Sequence, residues 1–149
     1  MMSKPNIICE IMNTDFVHEW TMALEVADHD DTPCIILDKL FEIWEKKVPA
    51  EGETYVGLFA RILNNRNISR NLHDRIVNSE ACDIDDGEVS MVLTKSPMIS
   101  PEIMNYLSKH ENMVVRCSMS KRNDLPPEIV NRLLEDPCED VRDMCKITY

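Results

Sequence analysis

The chain has 149 residues, 44% apolar and 29% charged, with a formal net charge of −11. That charge argues against ordinary DNA, RNA or anionic-membrane binding, which takes clustered Lys and Arg, and five basic against twelve acidic side chains in residues 1–65 make the first part the more acidic. The length fits one domain, residues 1–149, able to bury a core, and three glycines beside abundant Leu, Ile, Met and Glu favour helices over a turn-rich β fold.

The opening MMSKPNIICEIM has neither the long apolar core nor the small-residue cleavage site of a signal peptide. No apolar run approaches a membrane span, so a cytoplasmic or nuclear address is expected. NIICEIM carries a weak strand pattern. Phe16, Trp20, Leu24 and Ala27 then mark one face of a helix. Thr32-Pro33 enters a second helix with the stripe Ile36, Leu37, Leu40, Phe41 and Trp44. VPAEGE, residues 48–53, reads as a loop. Thr54 is placed to cap a third helix carrying Tyr55, Val56, Phe59, Ile62 and Leu63.

From there the chain repeats itself. EVSMVLTKSPMISPEIMNYLSKHE, from Glu88, aligns with VVRCSMSKRNDLPPEIVNRLLEDP, from Val114, at a step of 26 residues. Pro101 matches Pro127, Glu102 matches Glu128, Ile103 matches Ile129 and Leu107 matches Leu133. Val89, Val115 and Val141 keep the interval, as do Arg116 and Arg142. NISRNLHDRIV is a looser copy: Ile68, Ser69, Leu72 and Ile76 fall against Ile99, Ser100, Ile103 and Leu107. Its step is 31 because ACDIDDGE adds five residues. DTPCIILDKLF reads as a further copy, its register open by one residue.

A proline has no N–H and a fixed φ, so it suits the first turn of a helix and turns the preceding residue out of the α region. Thr32 and Ser100 are placed to cap, and Glu102 and Glu128 sit where the helix dipole favours negative charge. Helices of about ten residues do not persist alone in water, so they are expected to stack. Periods of this size mark solenoids.

The stretch SPEIMNYLSKHENMVVRCSMSKRNDLPPEIVNRLLEDPCEDVR resembles the leucine-rich repeat variant family, a relative of HEAT-like repeats. Leu125, Pro126, Pro127, Glu128, Leu133, Asp136, Pro137, Val141 and Arg142 match its proline-led phrase. The resemblance implies an all-α fold: a short right-handed α-solenoid of about four HEAT-like helix pairs, used as a binding scaffold. Some members carry an iron–sulfur cluster on a separate cysteine cluster, which this chain lacks. Some HEAT-like proteins excise damaged DNA bases through a basic concave face, a use the acidic charge opposes.

The chemistry-bearing residues are sparse. Cys9, Cys34, Cys117 and Cys145 sit among apolar neighbours, and no C-x-x-C pair occurs, which points to free thiols rather than disulfides or zinc. Asp83, Asp85, Asp86 and Glu88 suggest a calcium loop, but Gly87 at the sixth position puts Cys82 at the first and leaves Glu88 unable to serve as the twelfth. They read as a solvated loop and a candidate partner contact, since insertions into repeats tend to share one face. Lys95, Lys121 and Arg122 read first as solvated helix corners and second as a candidate basic strip for an acidic peptide or phosphate. Arg116 and Arg142 read as structural, paired with carbonyls or with Asp140 or Asp143. His18, His29, His73 and His110 are scattered, and neither G-x-S-x-G nor a phosphate loop occurs, so no enzyme, cofactor or metal is expected.

The ten methionines read mostly as core filler, and Met98, Met104, Met113 and Met119, near repeat edges, also suit an adaptable contact surface. The last segment, VRDMCKITY, is expected to leave one side of Val141, Met144, Cys145 and Ile147 poorly covered and to dock there on a second copy or another protein. Three functions follow: a non-enzymatic protein-binding scaffold or adaptor, a small acidic inhibitor mimicking nucleic acid, and a HEAT-like nucleic-acid-binding enzyme.

Overall fold

A computed structural model describes residues 20–47 and 55–149. Phe16, Cys9, His18, Thr54, the NIICEIM stretch, the VPAEGE loop and the Val56 side chain lie outside the described residues. The described residues form helices and no strand: α1 (Trp20–Asp28), α2 (Cys34–Glu45), α3 (Val56–Asn64), α4 (Arg70–Val77), α5 (Gly87–Lys95), α6 (Pro101–Leu107), α7 (Met113–Ser120), α8 (Pro127–Leu134) and α9 (Glu139–Thr148). Two compact units meet in the sequence between Asp83 and Ile84, inside the ACDIDDGE insertion.

In the first unit α1 packs chiefly on α3. Its buried face is Ala23, Val26 and Ala27, while Trp20 and Leu24 are only half-buried, so the helix is turned from the predicted stripe toward its smallest side chains. The α2 stripe is buried throughout: Ile36, Leu37, Leu40, Phe41 and Trp44. Aromatic edges hold this core. Phe41 meets Phe59 at 5.4 Å between ring centroids, and Trp44 meets Trp20 at 5.3 Å and Tyr55 at 4.9 Å, all close to T-shaped.

In the second unit α7 packs on both α5 and α9, with α6 and α8 in the second row. The core is aliphatic: Val89, Leu93, Leu107, Val115, Met119, Leu133, Val141 and Cys145 are all fully buried. The three valines at the 26-residue interval are therefore equivalent core residues. Val141 and Cys145 are covered by α7 and α8, contrary to the exposed side expected of the last segment; of that group only Ile147 stands well out, 79% exposed.

The helix starts show why this sequence breaks where it does. Ser69 accepts from Leu72 N at 3.1 Å and Ser100 from Ile103 N at 3.2 Å. Asp86 accepts from Glu88 N and Val89 N, and Asn112 from Val114 N. Pro101 and Pro127 stand in the first turn of α6 and α8. Thr32 does not cap α2: its hydroxyl donates to Val26 O at 2.6 Å, across the α1 terminus. The cause is register. Thr32 takes the buried position held elsewhere by Ile68, Ile99 and Leu125, and a hydroxyl there needs an internal acceptor. The capping position is the next one along, occupied by Pro33, Ser69, Ser100 and Pro126.

One corner bond recurs at equivalent positions. Asn65 Nδ2 donates to Ala27 O at 2.8 Å and His29 O at 3.0 Å. Arg122 Nη1 donates to Thr94 O and Ser96 O, both at 2.8 Å. Each side chain ties one helix corner to the corner before it.

Candidate functional site

The second unit has a groove on the face of α5, α7 and α9, about 930 Å³ in volume. Its direction follows from the corner bonds. Arg122, just past α7, reaches the carbonyls that end α5, and Tyr149, just past α9, donates to Arg122 O at 2.5 Å and accepts from Leu125 N. The C-terminal ends of all three helices thus gather at one edge, and the helices run the same way.

Residues of one helical face supply the lining. From α7 come Met113, Val114 and Cys117; from α5, Met91; from α9, Met144 and Ile147. Met113, Val114 and Ile147 are 39%, 52% and 79% exposed, half of the six large apolar side chains left at the described surface. Single exposed apolar residues are ordinary, but their gathering in one concave patch is not.

The polar rim is divided. Lys95 and Lys121, one repeat apart, stand at the C-terminal edge, where cations also complement the helix dipoles. Both are exposed, and neither has an ion-pair partner among the described residues. Asp140, in the first turn of α9, lies toward the other edge, and Asp143 midway along the helix. Arg122 also lines the groove but is not a free cation. Its guanidinium bonds Asp124 at 2.9 and 2.7 Å as well as the two carbonyls, and that bond holds the Asp124 carboxyl below its ordinary range.

Five of the candidate residues therefore meet in one place: Lys95, Lys121, Arg122, Met144 and Ile147. The acidic group lies elsewhere. Asp86 caps α5, Glu88 occupies its exposed first turn, and Asp83 is exposed at the loop. The Asp85 carboxylate accepts from Tyr106 Oη, beside a hollow of about 560 Å³ that His110 also lines. His110 Nε2 lies 3.3 Å from Asp85 O and 3.4 Å from Ser90 Oγ. This hollow is the packing of the loop against α6.

Arg116 and Arg142 are structural, through Asp136 rather than Asp140 or Asp143. Arg116 bonds the Asp136 carboxylate at 2.9 and 3.3 Å and His110 O at 2.7 Å; Arg142 makes the matching bond one repeat on, to Asp136 O. The described cysteines are free thiols, with Cys82 and Cys145 buried and Cys34, Cys117 and Cys138 half-buried. Burial raises the Cys145 thiol above its ordinary value. Among the described residues no three His, Cys, Asp or Glu side chains converge as a metal set, and no helix is long and apolar enough to cross a membrane.

Met91, Val114, Cys117, Asp140 and Asp143 were not foreseen as groove residues. The 26-residue step does pair Met91 with Cys117 and Lys95 with Lys121, but period alone does not say which face looks outward. The chain matches no protein-family model, no curated protein and no solved structure.

Proposed function

We propose that the chain is a non-enzymatic protein-binding module, its helix pairs stacked as a short right-handed α-solenoid of the leucine-rich repeat variant kind, with the α5–α7–α9 groove as its binding surface. The observation that carries the reading is the gathering of exposed Met113, Val114 and Ile147 in one groove beside Lys95 and Lys121. The equivalent corner bonds of Asn65 and Arg122 support the repeat reading. A methionine-lined surface adapts to a partner's side chains, and an apolar groove of this kind takes protein better than nucleic acid.

The test compares partners captured by the wild-type chain with those captured by C117R/M144R, which fills and charges the groove floor, and by E102Q on α6, away from it. The expected result is a partner retained by wild type and E102Q, at low and moderate salt, and lost by C117R/M144R. Identical partners for all three proteins overturn the groove reading. Capture that collapses with salt and is competed by duplex DNA instead favours an acidic nucleic-acid mimic.

A further inference from the structure

We propose that the groove takes an amphipathic partner helix lying antiparallel to α7, with Asp or Glu in its first turn and Lys or Arg in its last. This rests on the protein-binding reading above and names the occupant. Three observations point to it.

The groove is bipolar along the helix direction, with Lys95 and Lys121 at one edge and Asp140, in the first turn of α9, toward the other; Asp143 stands midway, level with Cys117 on the 26-residue step. Between them lie apolar side chains of one α7 face, Met113, Val114 and Cys117, flanked by Met91 and Met144. An apolar stripe on a helix of about ten residues, roughly 15 Å long, matches the reach of α7 and α9. Third, the three lining helices present their C-terminal ends, the negative ends of their dipoles, at the lysine edge. A helix arriving there by its N-terminus brings the positive end of its own dipole. Its acidic first turn then meets Lys95 and Lys121, and its basic last turn meets Asp140, with Asp143 one turn nearer the lysines. These are also the charges that stabilise such a helix by itself.

A nucleic acid fits poorly, because Asp124, Asp140 and Asp143 share the lining with only two unpaired ammonium groups. A second copy of the chain brings another −11 of charge toward the first.

The experiment uses the full chain and two fluorescein-labelled, helix-stapled peptides of identical composition. Both carry Leu at i, i+3, i+4 and i+7; one is acid-first and base-last, and the other has these charges exchanged. Fluorescence anisotropy is expected to show saturable binding of the acid-first probe, about tenfold tighter than the exchanged probe at low salt. In K95E/K121E, whose substitutions fall on exposed positions and whose fold is checked by circular dichroism, that preference is expected to vanish. Equal binding of the two probes to wild type, an unchanged preference in K95E/K121E, or no saturable binding up to about 1 mM overturns the proposal. So does displacement of the acid-first probe by duplex DNA, or a concentration-dependent dimer in light scattering that C117R/M144R abolishes. If the probes fail while C117R/M144R still loses its natural partner, the helix chemistry falls and the protein-binding groove stands.

Discussion

Asn65 and Arg122 occupy equivalent corners and do the same mechanical work with different chemistry, each donating two bonds to carbonyls of the preceding corner. Asn65 is 7% exposed, so its loss removes a donor from Ala27 O in a place water reaches poorly, while His29 O keeps the Thr32 N–H. Asn65→Ala is expected to cost about 2 kcal/mol in urea unfolding. Asn65→Asp is expected to cost more, because a carboxylate then faces the carbonyls of Ala27 and His29. His73 is a second residue whose position defines its behaviour. It stands where Leu37, Met104 and Val130 stand in the other copies, and it is fully buried. Burial lowers its pKa below 6.5, and the neighbouring Asp74 opposes the shift without cancelling it. The unfolded chain therefore takes up this proton first as pH falls. Stability is lost from about pH 6.5 downward, through the window between the unfolded and folded values. Urea midpoints at pH 7.5 and 5.5 are expected to differ for wild type and to converge in His73→Met, which restores the side chain of Met104 at the equivalent position.

Helix boundaries are the scale at which the sequence was most legible. Proline and serine act through the backbone next to them, so Ser69, Ser100, Pro101 and Pro127 begin helices where local chemistry says they must. Ser100→Ala is expected to cost about 1 kcal/mol, read as a lower urea midpoint; Ser96→Ala is no control, since that hydroxyl also accepts a bond, from Met98 N, whereas the exposed Asn123→Ala is expected to change little. What was illegible depends on neighbours distant in sequence. Thr32 reads as a cap because threonine before proline suits that place, but it falls at the buried position that Ile68, Ile99 and Leu125 hold in the other copies, and its hydroxyl turns inward. Arg122 looked like part of a basic strip beside Lys121, yet its guanidinium faces carbonyls 26 and 28 residues away and an aspartate two residues on. The same step of 26 that made Lys95 and Lys121 equivalent could not show that they share a rim with Asp140 and Asp143, because that depends on which face of α9 turns outward.

For the whole molecule the governing quantity is the excess of acid. Many of the described cations are already engaged: Arg61 with Asp28, Arg75 with Asp38, Arg116 with Asp136 and Arg122 with Asp124. Most of these pairs have at least one partner well exposed, and such pairs contribute between nothing and about 1 kcal/mol each, less in salt. Only Arg116–Asp136 is largely withdrawn from water, with 15% and 5% of the side chains exposed, and salt screens it least. Against these stands a net charge of −11 held in a folded chain, a repulsion that falls as the Debye length shortens from about 30 Å at 0.01 M to about 8 Å at 0.15 M. The repulsion acts among the excess carboxylates at once, whereas each exposed pair that screening weakens contributes little by itself. The melting temperature is therefore expected to rise by several degrees, roughly 1 kcal/mol of added stability, between 0.01 M and 0.3 M sodium chloride. A melting temperature that falls over that range in circular dichroism would mean that the ion pairs, not the acid excess, set the electrostatic balance of the fold.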